Sequence, residues 1–288
     1  MNPQFPLYIV SKGRWESRLT SKALERMNVP YHIIVEEQEY ENYAAVIDKN
    51  KILILDKSYQ DSYDVYDKYE GINCVGAGAA RNFAWDHSIK NGYKWHWVMD
   101  DNIRGFGRLN KNLKIYVSDG TIFKAMEDFC LRYKNIAMAG PNYDYFAPRR
   151  SKQPPFIHNT RIYSCNLIRN DVPFRWRGRY NEDTDLSLRM LKKGYCTILF
   201  NAFLQYKTTT MIMKGGNTDE LYAADGRKKM AKSLADQHPD VVKVTWRFNK
   251  WHHIVDYLGF KCNKPIKIDG IKINKKIDNY GMSLKKVK

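Results

Sequence analysis

"WHWVMDDNIRGF", Trp95–Phe106, is the stretch that decides the fold. An aromatic-rich run from Trp95 to Met99 reads as a buried strand, and it stops abruptly at Asp100, Asp101 and Asn102. Burying a carboxylate is costly unless a cation or hydrogen-bond donors compensate it. The two acids therefore either cap the turn that follows or hold something positive. Upstream, "GAGAARNFAWDHSIKNG" (residues 76–92) reads as a loop of small residues and then a helix ending near Gly92. Further back, "LYIVSK", "YHIIVEE" and "KILILD" are strand-like, with the helix-like segments "SRLTSKALERMN" and "YENYAAVI" between them. Strands alternating with helices predict an α/β fold with a mixed, mostly parallel central sheet flanked by helices. In such sheets ligands bind beyond the carboxyl ends of strands. Ser11-Lys12-Gly13-Arg14 and Asp100-Asp101-Asn102 both lie at such ends, so both could face one crevice.

Downstream the pattern loosens. "SDGTIFKAMEDFCLRYKN" reads as a helix, "IAMAGPNYDYF" as a strand entering a loop, and residues 147–160 as a basic loop. "RIYSCNLIRN" and "CTILFNAFLQYK" are strand-like, with the amphipathic helix "EDTDLSLRMLKKG" between them. "TDELYAADGRKKMAKSLADQHP" is helical, and "VVKVTWRF" is a late strand. There is no internal repeat. We expect one domain over residues 1–260 and a Lys-rich extension over 261–288, read as a hairpin plus a mobile tail.

The chain has 288 residues, 43% of them hydrophobic, which suits a folded globular protein with a sizeable core. No apolar run is long enough to span a membrane, and the N-terminus does not resemble a signal peptide. The five cysteines are widely spaced and form no C-x-x-C pair, so reduced thiols in a cytoplasmic setting are expected. The net charge of +17 is uneven. Residues 36–70 carry ten acids and four lysines, whereas residues 145–180 carry eight Lys/Arg and one Asp. Residues 261–288 carry nine Lys and two Asp. Clustered positive charge suits a polyanionic partner, nucleic acid first, or else a solvated surface that keeps the protein soluble.

Oxygen ligands at Asp100, Asp101 and Asn102 suit a hard divalent cation, Mn²⁺ or Mg²⁺, bridging a diphosphate. Arg81 and Asn82 at a helix start after small residues suit an anion. Glu182, Asp183 and Asp185 open another helix, where the dipole favours acids and where one carboxylate could act as a general base. Lys214-Gly215-Gly216-Asn217, flanked by polar residues, reads by itself as a plain turn. Trp251-His252-His253 offers a further metal ligand, His252 or His253, or an aromatic cluster packing the late helix. Tyr143, Tyr145 and Phe146 beside Arg149 and Arg150 could stack on bases or belong to the core. Arg175, Arg177 and Arg179 alternate along an extended segment, so they are expected to project from one face and grip DNA phosphates; the competing reading is pairing with Glu182 and Asp185.

The order of strand, "ARN" helix, strand ending in acids, then "ED" on a later helix resembles metal-dependent GT-A glycosyltransferases. The closer resemblance is to the TET-associated glycosyltransferases of bacteriophages, which are also similar to the C-terminal domain of GREB-type proteins. It rests on "PLYIVSKGRWESRLTSKALERMNVPYHIIVEEQE", "VGAGAARNFAWDHS", "WVMDDNI", "RGRYNEDTDLSLRMLKKGY", "QYKTTTMIMKGGNT" and "VVKVTWRFNKWHH". The resemblance implies transfer of a sugar from a nucleotide-diphosphate sugar, expected to be a UDP-sugar, to a 5-hydroxymethyl pyrimidine in DNA, expected to be 5-hydroxymethylcytosine. It implies a base and ribose pocket at Ser11, Lys12, Arg14 and Glu36, and donor contacts from Arg81, Asn82, Asp100 and Asp101. It implies a metal and ribose motif at Asp100, Asp101 and Asn102, although the wider fold commonly carries Asp where Asn102 stands. It further implies a flap at Lys214, Gly215 and Gly216, and Asp183 as catalytic base if the reaction inverts configuration. A protein-directed glycosyltransferase and an inactive nucleic-acid-binding module are the alternatives.

Overall fold

The computed structural model describes residues 1–67, 69, 74–110, 113–147, 154–208 and 226–271. The chain opens with β1 (Leu7–Val10), α1 (Leu19–Arg26), β2 (His32–Val35), α2 (Tyr40–Ala44), β3 (Ile52–Ile54), α3 (Ser58–Asp61), α4 (Gly78–Lys90) and β4 (Trp95–Asp100). All four residues of β1 are buried, as are the first five of β4, the continuous apolar run that a strand covered on both faces requires. Next come β5 (Ile103–Asn110), β6 (Leu113–Tyr116), α5 (Thr121–Cys130), β7 (Ile136–Tyr143), β8 (Phe156–His158) and β9 (Cys165–Arg169). The remaining elements are α6 (Glu182–Lys192), β10 (Cys196–Lys207), α7 (Gly226–Gln237), β11 (Val242–Arg247) and β12 (Lys250–Val255).

The central sheet runs β3-β2-β1-β4-β9-β7-β10-β5-β6, with β8 added on β10. The block β3-β2-β1-β4 is parallel throughout. β9 enters antiparallel to both β4 and β7, and β10 then runs parallel to β7. The sheet is thus mixed, with most strands running in one sense; β5, β8 and β9 are the reversed ones. Helices close both faces. Trp97 and Met99 point into the layer formed by Leu24 of α1, Met27 just after it, and Phe123 and Met126 of α5. Tyr8 and Val98 point the other way, toward Ala84 and Trp85 of α4 and Leu186 and Met190 of α6. The Glu127 carboxylate, buried on α5, accepts from the backbone N–H groups of Gln4 (2.7 Å) and Phe5 (3.2 Å) and from Trp97 Nε1 (2.9 Å), fixing the entry into β1.

From β1 the chain moves to β2 and β3 on one side, then crosses back to β4 on the other. The connectivity therefore reverses between β1 and β4, the position where an open α/β sheet forms a ligand crevice.

Two expectations change. The loosened region after β4 holds a hairpin, β5–β6, whose first strand pairs with β10. Its glycines obscured it: a side chain at Gly107 would lie 2.7 Å from the Tyr206 hydroxyl and 2.8 Å from the Ile115 carbonyl oxygen, so the strand needs a residue that breaks the apolar pattern. The basic loop also contains β8, paired with β10. In the Lys-rich extension, an isolated bridge joins Lys267 to Tyr133; residues 272–288, with the expected hairpin and tail, lie outside the described residues. Among the described residues no helix is long and apolar enough to cross a membrane.

Candidate active site

The carboxyl ends of β1 and β4, the start of α4 and the start of α6 converge on one cleft of about 450 Å³. That volume falls in the range of small-molecule sites. Ser11, Lys12, Arg14 and Glu36 line one end with the apolar Val10, Ile34 and Leu55. Arg81, Asp100, Asp101, Asn102, Glu182 and Asp183 line the middle.

The first end is held by β1 and its loop. Ser11 Oγ donates to Asp101 Oδ2 at 2.8 Å and lies 2.6 Å from the Tyr43 hydroxyl. Arg14 Nη1 reaches Asp101 Oδ1 at 2.5 Å. Lys12 Nζ stands 3.5 Å from Glu36 Oε1, which also accepts from Gln60 Nε2 at 3.0 Å.

Arg81 is the hub of the middle. Its guanidinium reaches Asp100 Oδ1 at 2.7 Å, Glu182 Oε1 at 2.8 Å and Asp183 Oδ1 at 3.1 Å, and lies over the Trp176 ring at 4.6 Å. It is 2% exposed. α4 can present it because the helix enters on small residues: a side chain at Gly78 would sit 1.7 Å from the Tyr63 hydroxyl, so only glycine fits. No side chain caps the start of α4, and its first residues line the cleft. Free N–H groups there, with the helix dipole, favour an anion.

Lys207, the last residue of β10, completes the cluster. Its Nζ donates to Asp100 Oδ2 at 2.5 Å and to Ser164 Oγ at 2.6 Å. The sequence does not single it out, because only the sheet order brings the end of β10 beside β4. A lone lysine closing an apolar strand was the available signal.

The charges shift one another. Burial pushes the Glu182 carboxyl up to about 7, the nearby Asp183 adding to the rise and Arg81 opposing it. Burial also raises Asp183, against the pull of Arg81. Asp100 goes the other way: burial opposes its ionisation, but Lys207 and Arg81 together hold it well below the usual carboxylate range. Asp183 further accepts from the Ser164 backbone N–H at 3.3 Å and Asn166 Nδ2 at 3.4 Å, which fix its orientation.

The carboxylates expected to hold a metal are already paired. Both oxygens of Asp100 are bound by Arg81 and Lys207, and both of Asp101 by Arg14 and Ser11. Asn102 Oδ1 is buried without a partner among the described residues, but one neutral oxygen does not make a cation site. Among the described residues no three of His, Cys, Asp and Glu gather to hold a metal. A divalent ion would have to displace Lys207 or Arg14, so the residues as arranged do not fit one. His253 lines the cleft and His252 does not.

Other expected site residues lie elsewhere. Asn82 exchanges two hydrogen bonds of 2.9 Å with the Trp176 backbone and does not line the cleft; it positions the segment leading to α6. Each arginine of the expected row pairs with an acid, Arg177 with the Asp185 of the competing reading. Arg175 pairs with Asp86 at 3.2 Å, Arg177 with Asp185 at 3.1 Å, and Arg179 with Asp67 at 3.2 Å. Arg179 is 6% exposed. Asp185 itself is buried among Arg177, Arg189 and His238, so it braces α6. Arg149, Arg150, Lys214, Gly215 and Gly216 lie outside the described residues.

Two solved structures are similar in part. The mannosyltransferase Ktr4p from S. cerevisiae is 14% identical with a TM-score of 0.26, over 49% of this chain and 40% of its own. The chain thus spans less than half the length of that protein. Mannose-6-phosphate isomerase from Helicobacter pylori is 11% identical with a TM-score of 0.28, over 88% and 86%. No curated protein matches the chain. Residues 5–216, which carry the cleft's β1, α4, β4 and α6, match the TET-associated glycosyltransferases, and the chain belongs to that family of glycosyltransferases.

Proposed function

We propose that the protein transfers a sugar from a nucleotide-diphosphate sugar, a UDP-sugar first, to the hydroxymethyl oxygen of a 5-hydroxymethyl pyrimidine in DNA, 5-hydroxymethylcytosine first. The observation that carries this reading is the convergence of a helix N-terminus, two buried cations and a paired Glu-Asp in one cleft. The nucleoside lies against Val10, Ile34 and Leu55, with Lys12, Glu36 and Gln60 as its polar partners. The diphosphate meets the start of α4, with Arg81 and Lys207 facing its leaving oxygen. Charge developing there as the bond to the anomeric carbon breaks is stabilised by these fixed cations, without reorganisation. On this reading the two side chains do the electrostatic work assigned in sequence to a divalent metal. The acceptor oxygen attacks the anomeric carbon, and Asp183 takes its proton in the inverting form of the reaction. The net charge of +17 supports a DNA acceptor.

The test is incubation with hydroxymethylated DNA and a panel of nucleotide-sugars, followed by digestion to nucleosides and mass analysis. A sugar adduct on the hydroxymethyl pyrimidine is expected. Adducts on protein acceptors alone would replace this reading with a protein-directed one.

A further inference from the structure

β11 and β12 form a two-stranded ribbon separate from the central sheet. Its base packs on α7 through Val242, Val255 and Leu234. Its other end projects into solvent, and that end is unusual in three ways. The tip is the two-residue turn Phe248-Asn249, both with positive φ, 50° and 57°. Such turns favour Asn and Gly, and a bulky side chain there is strained. Phe248 is nonetheless the tip residue and is 88% exposed, and among the described residues its ring meets only His252, edge-on at 6.3 Å. Just below it, Trp246 and Trp251 face each other across the ribbon at 5.2 Å, with Trp246 54% exposed. Finally, Lys243, Arg247 and Lys250 are exposed, and residues 242–255 contain no Asp or Glu.

The ribbon is also continuous with the cleft. His253 of β12 lines it, five residues from Phe248. At ~3.4 Å per residue the tip stands ~17 Å along the ribbon from the cleft, comparable with the ~12 Å width of a DNA major groove, which admits a two-stranded ribbon.

We infer that the β11–β12 ribbon is a DNA wedge: Phe248 inserts into the base stack as the acceptor nucleotide swings into the cleft, while Lys243, Arg247 and Lys250 hold the flanking phosphates. The inference rests on the DNA acceptor proposed above. Its chemical logic is access. The Asp183 side chain lies inside the cleft and is 17% exposed, so a base still stacked in a duplex does not bring its hydroxymethyl group there. Enzymes acting on a buried base extrude it, and apolar side chains that enter the stack offset the lost stacking. Backbone strain around an exposed aromatic is what such a tip requires.

The test compares one hydroxymethylcytosine oligonucleotide as a single strand and as a duplex, with a UDP-sugar as donor. Phe248→Ala should lower kcat/KM on the duplex roughly tenfold to a hundredfold, the range of one lost stacking contact, and leave the single strand unchanged. Phe248→Leu, still apolar, should restore most of the duplex rate. A 2-aminopurine opposite the acceptor should brighten with the unaltered protein and not with Phe248→Ala. The melting temperature of both variants should match the parent, since Phe248 is 88% exposed. Equal duplex rates for Phe248→Ala and parent, or equal loss on both substrates, would overturn the wedge alone. Transfer by the unaltered protein to neither DNA would overturn the acceptor reading and the wedge with it.

Discussion

Replacing Arg81 by Met is the perturbation whose consequences the structure fixes most closely. The guanidinium is buried and satisfies Asp100, Glu182 and Asp183 at 2.7, 2.8 and 3.1 Å. Met keeps the aliphatic stem against Trp176 and removes the charge. Breaking a buried ion pair from one side costs about 3–5 kcal/mol, because the remaining charge stays buried. In a chain of this size each kcal/mol lowers the melting temperature by about 2–4 °C, so a drop of about 6–20 °C is expected at pH 8. The loss should depend on pH with a definite sign. Burial already holds Glu182 above its ordinary 4.5, at about 7, and Asp183 above its ordinary value. Without Arg81 both rise further. A carboxyl raised in the folded state contributes stability below its unfolded pKa and loses it as pH rises through the folded one. At pH 5 Glu182 is protonated and needs the guanidinium less, so the variant should lie closer to the parent there. Thermal and urea melts of both proteins at pH 5 and pH 8 measure this. An identical drop at the two pH values, or none at pH 8, would refute the hub role of Arg81.

Asp183→Asn removes the proposed base with little change of shape; transfer should fall by about two to four orders of magnitude while nucleotide-sugar affinity, measured calorimetrically, stays near the parent value. The parent should turn over undiminished in chelator, and Lys207→Met should be slow until Mn²⁺ or Mg²⁺ is added, because it frees Asp100 Oδ2 for a metal. Loss of the parent's turnover in chelator would return the diphosphate to a metal. The pH profile of kcat/KM should show a rising limb near pH 7 that belongs to the Glu182–Asp183 pair as a unit; an unmoved limb in Glu182→Gln would assign it elsewhere.

What the sequence revealed and what it hid divide along physical lines. β1, α4, β4 and α6 are legible because burial on two faces writes long apolar runs, and because acids and small residues mark the ends that bear the cleft. The β5–β6 hairpin is not, because close contacts at Gly107 demand a residue that reads as a break. Arg175 and Arg179 read as a free basic row because their partners, Asp86 and Asp67, are 89 and 112 residues away and only the fold adds them. The same distance effect hid Lys207, 107 residues from Asp100, so the sequence showed the acid of β4 without the cation that the fold sets against it. Asn82, sound as an anion contact by its place after Arg81, turns inward because the Trp176 backbone offers it both a donor and an acceptor.

A crystal structure of the Asp183→Asn protein with an intact nucleotide-sugar tests the central claim most directly. The account places the nucleoside against Val10, Ile34 and Leu55, the diphosphate at the start of α4 within hydrogen-bonding distance of Arg81 and Lys207, and the anomeric carbon facing residue 183. A nucleotide-sugar bound outside the cleft, or one whose diphosphate touches neither Arg81 nor Lys207, would contradict it.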